Sequence, residues 1–167
     1  MIDPGYVHTL AAYNKGQNAS LFAAASGLTE AQRREDRGAF FKSIHATLNH
    51  LLWADSMWMS RLADDPRPDT PFPGLDHVAN WERMTQARAE LDDRVVTWAG
   101  GLAAADLSGD LVWRSGLMGG EVRRPRWFAV THMFNHQTHH RGQVHALLTA
   151  FGARPLDTDL ILMPPLA

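Results

Sequence analysis

At 167 residues, with 45% hydrophobic and 20% charged side chains, the chain has the balance of a globular protein able to bury a core, expected as one domain over residues 1–167. A formal net charge of −2 leaves no footprint for nucleic acid or an anionic membrane, and no run of about eighteen apolar residues suits a transmembrane helix. There is no cysteine, which excludes disulfides, thiolate ligands and a cysteine nucleophile and leaves histidine and carboxylate for any metal site.

The opening Met1-Ile2-Asp3-Pro4-Gly5 lacks the basic and apolar regions of a signal peptide, so a cytoplasmic location is expected. Asp3 before Pro4 predicts a helix start, with Asp as cap and Pro in the first turn. A broken apolar stripe (Val7, Leu10, Tyr13, Leu21, Phe22, Ala25) carries this helix from Tyr6 to about Ala25, interrupted at Gly16-Gln17 and stopped at Gly27. Thr29 with Gln32 forms a capping-box pattern for a short turn, followed by a charged connector from Arg33 to Gly38.

A second helix is predicted from about Phe40 to Ala63, with Ile44, Leu48, Leu51, Leu52, Asp55, Trp58, Met59 and Leu62 on its core face. Asp64-Asp65-Pro66-Arg67-Pro68 ends it and opens a loop to Gly74. Asp76 is placed to cap a third helix from about His77 to Ala99, whose charged positions, Arg88 and Asp92 among them, read as a solvated face. Leu111-Val112-Trp113-Arg114 and Glu121-Val122-Arg123-Arg124 flank a glycine turn and suggest a short hairpin. Pro125 opens a fourth helix that ends near Gly152, and the tail from Ala153 to Ala167, with Pro155, Pro164 and Pro165, reads as extended. Four long amphipathic helices around one core predict an all-α four-helix bundle, an architecture that builds metal and ligand sites from facing helices.

The fourth helix carries the densest chemistry. Between Thr131 and His145 stand five of the nine histidines. His132, His136 and His140 fall at i, i+4 and i+8, on one helical face, where adjacent imidazoles can bind one ion. Spacing alone does not rank His132 against His140 as the partner of His136. A third ligand is expected from the core side of another helix. His50, flanked by Leu48 and Leu51-Leu52-Trp53, is the best candidate, because burying it without a partner is costly. His45, His8 and His77 are weaker candidates.

Asn49-His50-Leu51-Leu52-Trp53-Ala54-Asp55, with Trp58 after it, resembles the second-helix motif of the DinB/YfiT-like family. Asn135-His136-Gln137-Thr138-His139-His140-Arg141-Gly142-Gln143 is similar to that family's second signature, and the likeness runs through nearly the whole chain in element order and length. The resemblance implies an up-down-down-up four-helix bundle, often dimeric, holding a divalent metal on three histidines, which here are His50, His136 and His140. Asn49, Asp55, Asn135, Arg141 and Gln143 are candidates to orient these ligands or bind substrate.

Three neutral ligands leave an ion its full charge and an open position, suited to Lewis-acid work on a bound thiol or water. The resemblance favours activation of a low-molecular-weight thiol (bacillithiol, mycothiol or glutathione) for S-transfer to a small electrophilic substrate. A metal-dependent hydrolase, and a non-catalytic stress-related bundle stapled by its metal, are the alternatives, with His132 the donor that would close the site. Zinc or nickel leads the metals, and iron, manganese or copper also suit imidazoles. Asp55 and Glu121 are the carboxylates to examine as general base. A homodimer is expected by resemblance, with no nucleic-acid or membrane partner.

Overall fold

The computed structural model describes residues 2–163, so Met1 and the expected extension of the tail through Pro164 and Pro165 to Ala167 lie outside the described residues. The chain is mostly helical: α1 (Pro4–Ser26), a short α2 (Glu30–Arg34), α3 (Ile44–Leu62), α4 (Trp81–Gly100) and α5 (Arg126–Ala150). Between α4 and α5 an antiparallel hairpin pairs β1 (Asp110–Ser115) with β2 (Gly120–Pro125), Trp113 standing opposite Val122 and Arg114 opposite Glu121. Among the described residues no helix is long and apolar enough to cross a membrane.

The caps explain most element starts. Asp3 accepts from the Tyr6 amide at 2.8 Å, and Thr29 with Gln32 forms the full capping box that begins α2. Gly16 does not interrupt α1. It lies on the exposed side, where a glycine costs about 1 kcal/mol of helix propensity and leaves the apolar face intact.

Two starts differ from expectation. α3 begins at Ile44 rather than Phe40, because Lys42 sits at φ 70°, outside the right-handed helix, and Ser43 then caps by accepting from the Ala46 amide. α4 begins at Trp81 rather than His77, and its cap is Asn80 instead of Asp76. Residues 77–79 are held as loop because the Val78 amide donates to Asn49 of α3 at 2.7 Å, while Asp76 faces Arg34 and His45, each at 3.8 Å. The expected extended tail contains one 3-10 turn, Leu160–Leu162.

The long helices contact one another as α1 on α4, α4 on α3, α3 on α5 and α5 on α1. One contiguous apolar cluster draws on all four, including Val7 and Leu21, Leu48 and Met59, Met84 and Leu91, Met133 and Phe134. The stripe of α1 looks broken in sequence because its core face passes through Asn14 and Asn18, both buried. Asn18 donates to Asp92 of α4 at 2.9 Å. The reading of Arg88 and Asp92 as solvated is therefore overturned. They are 3% and 4% exposed, and Arg88 follows Met84 and precedes Leu91 and Val95 at core spacing. Its guanidinium binds Asp55 of α3 at 2.8 Å and Asp92 at 2.7 Å. Gln137 of α5 donates to the same Asp55 and accepts from Arg141 at 3.2 Å, so a buried polar network ties all four long helices together.

Candidate metal centre

α3 and α5 face each other so that the rings of His50 and His136 stand 5.1 Å apart, those of His50 and His140 5.0 Å, and those of His136 and His140 4.5 Å. One ring nitrogen of each lies within 4.8 Å of the other two, and this trio is the group among the described residues that could hold a metal ion. His50 and His140 are buried and His136 is half-buried. The i, i+4 spacing puts His136 and His140 on one face, and the antiparallel meeting with α3 brings His50 to them.

Hydrogen bonds settle which nitrogens are free. His50 Nδ1 donates to the Pro73 carbonyl at 2.6 Å, leaving the Nε2 lone pair directed at His136 Nε2, 3.2 Å away. His140 Nδ1 donates to Gln143 Oε1 at 2.9 Å, which likewise frees its Nε2. The two facing Nε2 atoms are separated by about the 3.3 Å expected between nitrogens sharing one tetrahedral ion with bonds of 2.0–2.1 Å. Burial holds all three imidazoles below their ordinary pKa, His136 down to about 3 with its neighbouring histidines adding to the effect, so all three are neutral at pH 7. Neutral, convergent and cysteine-free, the donor set fits a divalent ion of the borderline kind. His136 Nδ1 is buried without a partner.

The loop between α3 and α4 is part of this construction, and sequence reasoning missed it. Trp53 Nε1 donates to the Thr70 carbonyl at 2.7 Å, and Gly74 at φ 71° lies so close to Trp53 that an added Cβ would stand 2.3 Å from its ring. This contact holds Pro73 against His50. Phe41 was missed as well; its ring packs 4.2 Å from His50 and 5.2 Å from His140 and covers the pair. Only a generic signal pointed to either, a Pro-Gly loop and an aromatic pair just ahead of a helix.

The remaining candidates fall around this centre. Gln143 does orient a histidine, and its amide also donates to His139 at 3.2 Å. Asn49 secures the loop through Val78. Asp55 and Arg141 belong to the buried network, where burial pushes the Asp55 carboxyl up to about 6. Glu121 is exposed on β2, and neither it nor Asp55 joins the histidine group. Asn135 is exposed. His132 is also outside the group, its exposed ring 5.8 Å from that of His136. His45 is buried beside Trp81, His77 bonds Thr70 at 2.8 Å, and His8 lies half-buried on α1.

Compared with known families, the chain matches the sequence model of the DinB family over residues 1–166. Comparison with curated proteins and with solved structures found no match.

Proposed function

Since the chain belongs to the DinB family, we propose that it is a metal-dependent enzyme whose His50, His136 and His140 hold a divalent ion and which activates a low-molecular-weight thiol for transfer to a small electrophile. The observation that carries this reading is the convergence of three ring nitrogens within 4.8 Å, two with their other nitrogen engaged as a donor. An ion bound there supplies a Lewis acid that keeps a thiol ionised near neutral pH. Pro73 and Gln143 fix the tautomer and direction of two ligands, a function whose loss typically weakens metal binding 10–100-fold. Phe41 shields His50 and His140 from water, raising the strength of electrostatic interactions at the site. The thiol must arrive as cosubstrate, because the chain has no cysteine.

That His132 stays outside the group supports an open position over a site closed by a fourth protein ligand, and so favours an enzyme over a metal staple. The same reading takes residues 1–167 as one cytoplasmic domain that pairs into a homodimer, with helices running up-down-down-up. For the topology, support comes from paired positions: Asn18 meets Asp92 and Ser26 meets Trp81, so α1 and α4 run opposite ways. Asp55 meets Arg88 and Asp65 meets Arg94, so α3 and α4 run together, whereas His50 and Trp58 meet His136 and His132 in reversed order.

The test is elemental analysis of tag-free protein beside His50→Ala, followed by thiol consumption with a generic electrophile. About one ion per chain, lost in the variant, with metal-dependent consumption of thiol is the expected result. Bound metal without thiol chemistry would move the reading to hydrolysis or a staple, and no metal in the wild type would end it.

A further inference from the structure

Beyond the histidine group, the surface between α3 and α5 continues through exposed His132, whose ring lies 5.3 Å from Trp58, to Arg61. The Arg61 guanidinium lies over two indoles, 4.6 Å from the ring of Trp58 and 5.5 Å from that of Trp113 on the hairpin. The two indoles meet edge to face at 5.6 Å and form one wall. Among the described residues no carboxylate lies within 4 Å of Arg61, whereas eight of the chain's other basic side chains, His45 included, do form such pairs. Its significant charged neighbour is another cation, Arg67, and Arg61 in turn acts on His132. A half-buried guanidinium without a carboxylate partner gives a local positive potential, and its planar fork is free to receive two oxygens.

We propose that Arg61, backed by Trp58 and Trp113, is the anchoring subsite for a carboxylate on a small molecule whose other end reaches the histidine group past His132. This rests on the reading above only for what happens at that other end. The contacts from His136 to His132, Trp58 and Arg61 follow one another at 5.8, 5.3 and 4.6 Å, a path of at most about 16 Å, the span of an extended ligand of about five residues. A carboxylate here replaces water around a cation that is already partly desolvated, and aromatic walls exclude competing solvent. Ligands lacking the acid forfeit this contact.

The probe is glutathione, compared with its diethyl ester, titrated calorimetrically into the full zinc-loaded chain. The acid is expected to bind at least about tenfold tighter than the ester. Arg61→Gln is expected to remove that preference, and Arg61→Lys, which keeps charge without the planar stack, to fall between. Equal binding of acid and ester by the wild type, or a preference that survives in Arg61→Gln, overturns the proposal. Should Arg61→Gln fail to fold by circular dichroism, the wild-type comparison and Arg61→Lys still decide. Titrating metal-free protein separates the two readings: the acid-over-ester preference is expected to persist there, and its absence in both forms overturns the subsite alone.

Discussion

Gly74 offers the sharpest test of how the histidine centre is built. Replacing it by Ala puts a Cβ 2.3 Å from Trp53 Cγ and 2.6 Å from Trp53 Cβ, in a residue at φ 71°. The left-handed backbone costs Ala about 1–2 kcal/mol, and overpacking adds about 1–3 kcal/mol. Trp53 cannot easily yield, since its indole is buried and bonded to Thr70, so the loop must move and carry Pro73 away from His50. Zinc affinity, measured by competition with a chromophoric chelator, should fall by about 10–100-fold, the usual consequence of losing a ligand's orienting partner. Gly38→Ala is the matched control: φ is 78° and no atom lies within 4 Å of the added Cβ, so it carries the backbone cost without the collision. Its denaturation midpoint should drop while zinc affinity stays at the wild-type value. The reasoning fails if Gly74→Ala binds zinc as the wild type does, or if Gly38→Ala weakens binding equally.

Gln143→Leu removes the acceptor of His140 Nδ1 and should weaken zinc binding by about tenfold, with little change in urea midpoint because Gln143 is only half-buried. Arg88→Met leaves Asp55 and Asp92 buried without their shared cation and should cost about 3–5 kcal/mol in urea denaturation at pH 7. Asp55 should make stability depend on pH. Its folded pKa of about 6 exceeds the 3.8 of an ordinary aspartate, so the folded state holds the proton more tightly. Stability from this group is full below about pH 3.8 and lost as pH rises through about 6, on the order of 3 kcal/mol. The difference between wild type and Asp55→Asn, followed from pH 4 to 7, isolates this slope from the opposing one of the histidines; a constant difference would contradict it.

What could be read in the sequence was what periodicity and caps control. The α5 stripe of histidines, the α3 core face, the Thr29 capping box and the glycine-turned hairpin all follow from local rules and reappear in the structure. Missing were features that depend on contacts across the fold. Arg88 and Asp92 looked solvated because their charge was weighed above their position, although Met84, Arg88, Leu91 and Val95 already formed one stripe. The start of α4 was misplaced because Val78 is claimed by Asn49, a bond no window around Asp76 can reveal. Pro73 contributes a backbone carbonyl, which carries no side-chain signature at all.

The buried network also bears on why the imidazoles point where they do. Gln137 and Arg141 each follow a site histidine by one residue, turned about 100° around the helix. Rotating α5 by that amount would remove Gln137 from Asp55 and Arg141 from the Tyr13 ring, which it now faces at 5.4 Å, leaving Asp55 one donor short and the Arg141 charge without its aromatic partner in the core. Apolar packing alone discriminates less sharply between such settings, because cores tolerate repacking at constant volume. The network thus bears on specificity rather than on net stability, and the two come apart on replacement. A chain carrying Asp55→Leu, Arg88→Met, Asp92→Leu, Gln137→Leu and Arg141→Met together should keep its helical circular dichroism, with stability equal to or above that of the wild type. If the polar contacts hold α5 in register, its zinc affinity should nonetheless fall by about tenfold or more, as it does when ligands lose their orientation. Wild-type zinc affinity in that protein would mean that packing and the helix ends suffice to aim His136 and His140 at His50.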